Sequence, residues 1–460
     1  MKRLKSFLLL VTCWLAMVGC ASLDDDVSTN QNLPLVFSTD TVLFDTLITG
    51  RNSITRRFRA FNQSKENISI SSISVGDSDQ SPYTLIVNGQ EGRRIENEVL
   101  NGEDSLLILV SAFIEEQDET LPFLVKDSVV FEWNGNQADV KLVAYGQDAT
   151  FLGDEVICDQ TWSSGKPYVI TQSILVDTEC TLTIEEGTKV YVDNGAVIDI
   201  RGQLMVRGDT GSNNVVFRNT RFDDTFIEAP GQWGGIRFFP GSRGNEIRFA
   251  TIENAVNGVF TFGTNSAEDR VELTIESTTI RHMSGSGVQA FTSDISMTNS
   301  LIHNCGGFLF SAFVGGSYDI DHCTFSNQPN DFIRDEPSFV AVDNFAGDGS
   351  LAEDLALTLS HSIIWGAELE EFFIANEGGS TLDTTVIQNI IKSNETILAN
   401  ITSTEFNFPG FKDPFGSSDY SLDTLSAAKD AALGSDAQFD ILRIPRDELP
   451  DIGAFERVEN

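Results

Sequence analysis

A short pairing recurs through the second half of the chain: a hydrophobic residue, then an asparagine two places on. It stands in TIENAVNG (251–258), SLIHNCGG (300–307) and TFSNQPND (324–331). Aligned on the hydrophobic residue, six segments carry Ile252, Ile280, Ile302, Phe325, Ile364 and Ile387, at intervals of 28, 22, 23, 39 and 23 residues. A base period of 22–23 residues, enlarged twice by insertions, is the mark of a solenoid whose repeats each form one coil. Five residues before the anchor stand Ile247, Ile275, Met297, Ile320, Leu359 and Leu382; two before it stand Thr278, Ser300, Cys323, Ser362 and Thr385. Two after it stand Asn254, His282, Asn304, Asn327, Gly366 and Asn389. Asparagine and glycine tolerate a left-handed backbone, so this column predicts one tight corner per coil. Stacked about 4.8 Å apart, Asn254, Asn304, Asn327 and Asn389 are placed to form a ladder of amide hydrogen bonds.

Helical periodicity is missing, and so are the regularly spaced leucines of leucine-rich repeats. The pattern predicts an all-β chain whose residues 155–405 wind as a right-handed parallel β-helix. Two motifs add a resemblance. CTLTIEEGTKVYVDNGAVIDIRGQLMVRG (180–208), then NVVFRN and GQWGGIRF (231–238), resembles the first coils of bacterial parallel β-helix proteins. FPGFKDPFGSSDYSLDTLSAAKDAA (408–432) and LPDIGAFE (449–456) resemble the closing segment of β-helix repeat lipoproteins of the choice-of-anchor type, with Ala432 where glycine is usual. The resemblance implies that residues 406–460 are a C-terminal cap sealing the last strand edge. Cys158 and Cys180 lie 22 residues apart. If coils begin that early, one turn brings their Cα atoms to about 5 Å, within disulfide reach. Cys305 and Cys323 read as buried thiols.

Ahead of the repeats, residues 34–148 read as short alternating strands, among them ITRRFRAFN, YTLIVNG, SLLILVSAF and DVKLVAYG. Such a run predicts an antiparallel immunoglobulin-like β-sandwich. FRAFN and VKLVAYGQ resemble the corresponding strands of ASPM–SPD-2–Hydin domains. At the N-terminus, a basic MKRLK and the apolar SFLLLVTCWLAMV form a signal peptide over 1–19. MVGC (17–20) resembles a bacterial lipobox, with Met17 in place of leucine. That likeness implies acylation (palmitate among the acyl chains) at Cys20, a tether over 20–33, and outer-membrane lipid as a partner. The ASLDDD that begins there resembles the signal that sends some lipoproteins to the cell exterior.

The formal charge of −38 excludes nucleic acid as a partner and weighs against polyanionic glycans. Polygalacturonase-like chemistry lacks its G-H-G and R-x-K, although Asp223-Asp224 supplies an acid pair. No aligned column stacks carboxylates as a calcium-dependent lyase requires; no cofactor is called for, and calcium stays open. His322 and His361 share the column three before the anchor, with no third metal ligand in view, so no metal site is assigned. Arg281 and His303, one coil apart, are the weak acid–base candidates for β-elimination. Phe249, Arg281, His303, His322, His361 and Trp365 form a candidate ligand-binding face on the outside of the coils. The leading expectation is a cell-surface module binding a glycan or a protein. A polysaccharide lyase or glycoside hydrolase, and a structural stalk or adhesin, are the alternatives.

Overall fold

The computed structural model describes residues 27–76, 79–264, 268–328, 332–345, 351–393, 401–402 and 407–458; the lipobox and Cys20 lie outside them. The chain divides after Asp148 into two compact units.

The first unit is an immunoglobulin-like β-sandwich. One sheet orders Asn67–Val75, Phe123–Trp133, Asn136–Gln147 and Thr41–Ile48, with Arg94–Leu100 on its flank. The other orders Leu35–Phe37, Arg56–Asn62, Ser105–Ala112, Tyr83–Val87 and Gln90–Gly92. Strict alternation in Ser105–Ala112 turns Leu106, Ile108 and Val110 inward, onto a core shared with Phe44, Phe58 and Phe131. Asn62, which ends FRAFN, is buried; its amide donates to the carbonyls of Glu66 (2.7 Å), Leu100 (3.1 Å) and Asn101 (3.0 Å). One side-chain amide thus bridges three backbone carbonyls at the strand ends and the adjoining loop, its two hydrogens shared among them.

The second unit is a parallel β-helix of three faces, coiling in the right-handed sense of parallel crossovers. One coil shows the plan. Strand Val288–Thr298 begins on the first face, bends at Thr292 (φ 44°) and continues on the second. The chain turns at Asn299 (φ 45°) and enters Leu301–Cys305 on the third face. Phe310–Asp321, His322 and Thr324–Asn327 repeat it one coil on. Ile252, Ile280, Ile302, Phe325 and Ile364 are in register on the third face, as the repeat predicts. Ile247, Ile275, Met297, Ile320 and Leu359 are in register on the second. Both columns are buried. Inside the first face Phe310, Phe339 and Phe372 stack with centroids 4.9 and 5.4 Å apart. Cys158 and Cys180 are disulfide-bonded, their Cα atoms 4.6 Å apart across two coils. Cys305 and Cys323 are free and buried.

Three expectations need correction. The last coil is displaced by four residues: Val386, not Leu382, pairs with Leu359, and Ile391, not Ile387, pairs with Ile364. Asn389 therefore leaves the corner column. Its side chain instead accepts from Ser362 N (2.8 Å) and donates to Leu359 O (2.9 Å), in the small-residue column. The asparagine column is left-handed at Asn254, His282 and Asn304 (φ 68°, 56° and 51°), but its bonds are mixed. Asn254 donates to the Ile227 and Ala229 carbonyls, Asn304 meets His282 Nδ1 at 3.0 Å, and Asn327 exchanges bonds with the Cys305 backbone. The corner that recurs in every coil from Phe249 onward is the one three before the anchor. Phe249, Ser277, Asn299, His322, His361 and Gln388 all have φ between 45° and 52° there.

The C-terminal segment is the third correction, because it lies along the third face as a strap. Its Phe411, Tyr420, Leu422, Ala428, Ile441, Ile452 and Ala454 form one buried cluster with Leu301, Ile363, Trp365 and Ile390 of the coils. Gly453, the glycine of DIGAFE, sits at φ 97° and donates to His361 O (2.7 Å). A Cβ there would come within 2.7 Å of Ile363 Cδ1 and 2.8 Å of Thr324 Oγ1, and the φ of 97° is strained for any residue but glycine. Buried Arg446 donates to Glu456 Oε2 (3.1 Å), to Gly453 O (2.8 Å) and to Asn299 Oδ1 (3.0 Å). Arg443 reaches Asp209 Oδ2 (3.0 Å) and lies over the Phe249 ring (4.9 Å).

Candidate functional site

The strap decides the fate of the expected ligand face. Phe249, His303, His322, His361 and Trp365 are all buried. Tyr420 lies 4.8 Å from His303, Phe408 lies 5.7 Å from Trp365, and Ser435 Oγ lies 2.6 Å from His322 Nε2. Only Arg281 keeps an exposed portion, and it is committed to Glu253 at 2.8 Å, which Arg218 also approaches (3.5 Å). That face is internal packing. Alternation along a strand says which side chains leave the core and says nothing of what then covers them, which is why the repeat alone predicts an outer face here.

The same burial removes the acid–base pair. Burial holds the His303 imidazole well below its ordinary value, with repulsion from Arg281 and His282 added. A neutral ring under Tyr420 meets no substrate, so Arg281 and His303 do not form an eliminating pair. The Asp223 carboxylate is tied to Arg221 at 2.8 Å.

At the recurring corner, His322 and His361 stack face to face, centroids 4.9 Å and planes 22° apart. His361 Nδ1 lies 2.7 Å from Asp321 Oδ1, which also accepts from Ser360 Oγ (2.9 Å). Burial opposes ionisation of Asp321, yet the His361 hydrogen bond and both imidazoles hold its carboxyl below the usual range. Burial first, and then the Arg446 guanidinium, push His322 down to about 3. Asp321 is the neighbour that the sequence did not offer as a third ligand, because it ends a strand of the second face rather than sharing the histidine column.

The first face carries a half-buried feature that periodicity did not single out, overlaid at one end by Phe345, which lies 5.6 Å from Phe291 and 5.2 Å from Phe313. Phe239, Phe262, Phe291 and Phe313 occupy one outward column on four successive coils, following the registers of Phe238 with Thr261, Phe262 with Phe291, and Phe291 with Phe313. Phe239 and Phe262 stack at 5.2 Å and 20°; Phe291 and Phe313 lie 5.5 Å apart. Phe260 bridges the middle, 4.2 Å from Phe262 and 5.6 Å from Phe291. Arg201 and Arg237 flank Phe239 at 5.8 and 5.9 Å, with Arg237 also paired to Asp199 (2.7 Å). At the other end the stripe opens into a groove of about 310 Å³ lined by Phe308, Phe313, Val340, Phe345, Phe373 and polar Asn344, Glu336 and Glu377. Phe345 and Phe373 are exposed, and the rings from Phe239 to Phe313 are half-exposed.

No protein-family model matches the chain, and no curated protein matches it. Solved structures similar to parts of it include a protein of unknown function from Porphyromonas gingivalis W83, with 11% identity and a TM-score of 0.20 over 28% of this chain. The chain spans 60% of the length of that protein. The ASH / PapD-like domain 7 of human CEP192 matches 25% of this chain and 86% of its own length, with 10% identity and a TM-score of 0.18. A family 123 glycoside hydrolase from Clostridium perfringens, described in terms of glycolipid glycan hydrolysis, matches 27% of this chain and 30% of its own length, at 5% identity and TM-score 0.19. Similarity at this level carries no argument about function.

Proposed function

We propose that the chain is a lipid-anchored outer-membrane protein, facing the cell exterior through Cys20, and that its β-helix is a glycan-binding module working along the first face. The observation that supports this is the phenylalanine stripe. Outward phenylalanines on four successive coils, one strand rung of about 4.8 Å apart, present a row of apolar ring edges against which successive sugar rings of an extended chain can pack. Gln289 stands beside the rings, and Glu336 and Glu377 line the groove, as hydrogen-bonding groups for hydroxyls. The charge of −38 favours a neutral glycan over a polyuronate. The bridged Cys158 and Cys180 are compatible with an exported chain.

Retention on a panel of neutral and acidic polysaccharides tests the reading. The chain is expected to bind a neutral glycan, with affinity down at least tenfold in Phe262→Ser and Phe313→Ser. Binding that ignores both substitutions, or that is confined to acidic polymers, defeats it; capture of a protein with no glycan bound favours the adhesin reading. For the anchor, labelled palmitate should enter the wild-type chain and not Cys20→Ala.

A further inference from the structure

The Asp321–His322–His361 cluster has a property its hydrogen bonds leave unexplained. His322 is fully buried, and its Nδ1 has no hydrogen-bond partner. The opposite ring nitrogen is occupied: Nε2 faces Ser435 Oγ at 2.6 Å, and that oxygen also accepts from Ala437 N (3.2 Å). In the tautomer whose Nε2–H donates to the serine, Nδ1 carries a lone pair inside the protein. A buried polar atom left so is costly unless something arrives to meet it. One donor atom each from Asp321, His322 and His361 can be chosen so that all three lie within 4.8 Å of one another.

We propose that Asp321, His322 and His361 form a binding site for a divalent transition-metal ion of the zinc type, held at the corner of two successive coils and beneath the C-terminal strap. Two imidazoles and one carboxylate are the donor set of an open tetrahedral site. Bonds of about 2.1 Å place ligand atoms about 3.4 Å apart, so atoms now up to 4.8 Å apart must close by little more than 1 Å while the 2.7 Å hydrogen bond between His361 Nδ1 and Asp321 Oδ1 gives way. The left-handed corners at His322 and His361 (φ 48° and 45°) stack the two rings in successive coils. Ser435 plays the orienting part that a partner on the distal nitrogen plays for metal-bound histidine. The nearby Arg446 cation is offset by its pairing with Glu456 (3.1 Å). Asp321 is partly exposed, so water can reach the cluster and complete the shell. This site is independent of the glycan reading, since it lies on the roofed side of the coils.

The test uses the purified full chain, stripped with EDTA and desalted, then titrated with zinc chloride alone. One zinc ion per chain is expected to survive gel filtration, and cobalt(II) in its place should give the intense visible bands of four-coordinate nitrogen and oxygen ligation. Asp321→Asn and His361→Gln should each weaken zinc binding at least a hundredfold, while His282→Gln, outside the cluster, leaves it unchanged. Should the variants fail to fold, the cobalt spectrum of the unaltered chain still decides. A weak octahedral spectrum, absence of stoichiometric zinc, or binding indifferent to Asp321→Asn each overturns the proposal.

Discussion

On the third face of the β-helix Leu301, Ile363 and Trp365 point away from the core, yet the C-terminal strap leaves them buried. On the first face Phe239, Phe262, Phe291 and Phe313 also point away from the core and stay half-buried, with Phe345 over the last two. Both columns are apolar, and both obey the same alternation. The difference is what each is made of and what lies over it. The roofed side mixes branched aliphatic, indole and imidazole groups that interlock with Phe411, Tyr420 and Ile452. The open side repeats a single flat side chain. Jigsaw packing demands varied shapes, whereas a surface that meets a periodic ligand is served by repetition.

Substitutions on the two sides should therefore separate stability from binding. The largest effect is expected under the strap. Arg446→Met leaves the Glu456 carboxylate buried without its cation, at a cost of about 3–5 kcal/mol measured by urea unfolding. A loss below about 1 kcal/mol would mean that the strap is not part of the cooperative unit. The next effect is a pH dependence. His303 is neutral in the folded chain far below the unfolded value of about 6.5, so the unfolded state binds the extra proton first. Stability is then complete above about pH 6.5 and falls below it by up to about 1.4 kcal/mol per pH unit for each of His303 and His322, both held neutral by burial. His303→Gln should remove about half of that slope; an unchanged slope would show that His303 gains its proton while folded. The smallest effect belongs to the open side. Phe262→Ser and Phe313→Ser should each cost less stability than Arg446→Met, about 2 kcal/mol or less, while lowering glycan affinity at least tenfold. A larger loss would make the stripe a second core, and the contrast would dissolve.

Much of this architecture could be read from the chain because coil geometry converts sequence interval into distance. Interval 22 put Cys158 beside Cys180, and the same interval put Ile280 beside Ile302. The final coil escaped because Ile387 and Ile391 are chemically alike, and only the backbone register tells which one faces Ile364. The recurring corner escaped because φ near 48° is tolerated by Phe249, Ser277, Asn299, His322 and Gln388 alike, which leaves no residue signature. The roof over the third face escaped because it depends on residues a hundred or more positions away, such as Ser435 on His322 and Ala454 on Thr324. The phenylalanine stripe had a trace in composition, 33 Phe against 6 Tyr and 5 Trp, but composition carries no address. First-face strands follow loops of unequal length, so their register appears only when the coils are stacked.

The strap also changes what kind of object the solenoid is. A stack of coils held only by neighbours can fray from either end, each rung melting without consulting the rest. Arg443 ties itself to Asp209 across 234 positions of chain, and Arg446 to Asn299 across 147. Such long ligatures make distant rungs share one fate, so the coils between Asp209 and His361 should melt in a single step rather than unzip.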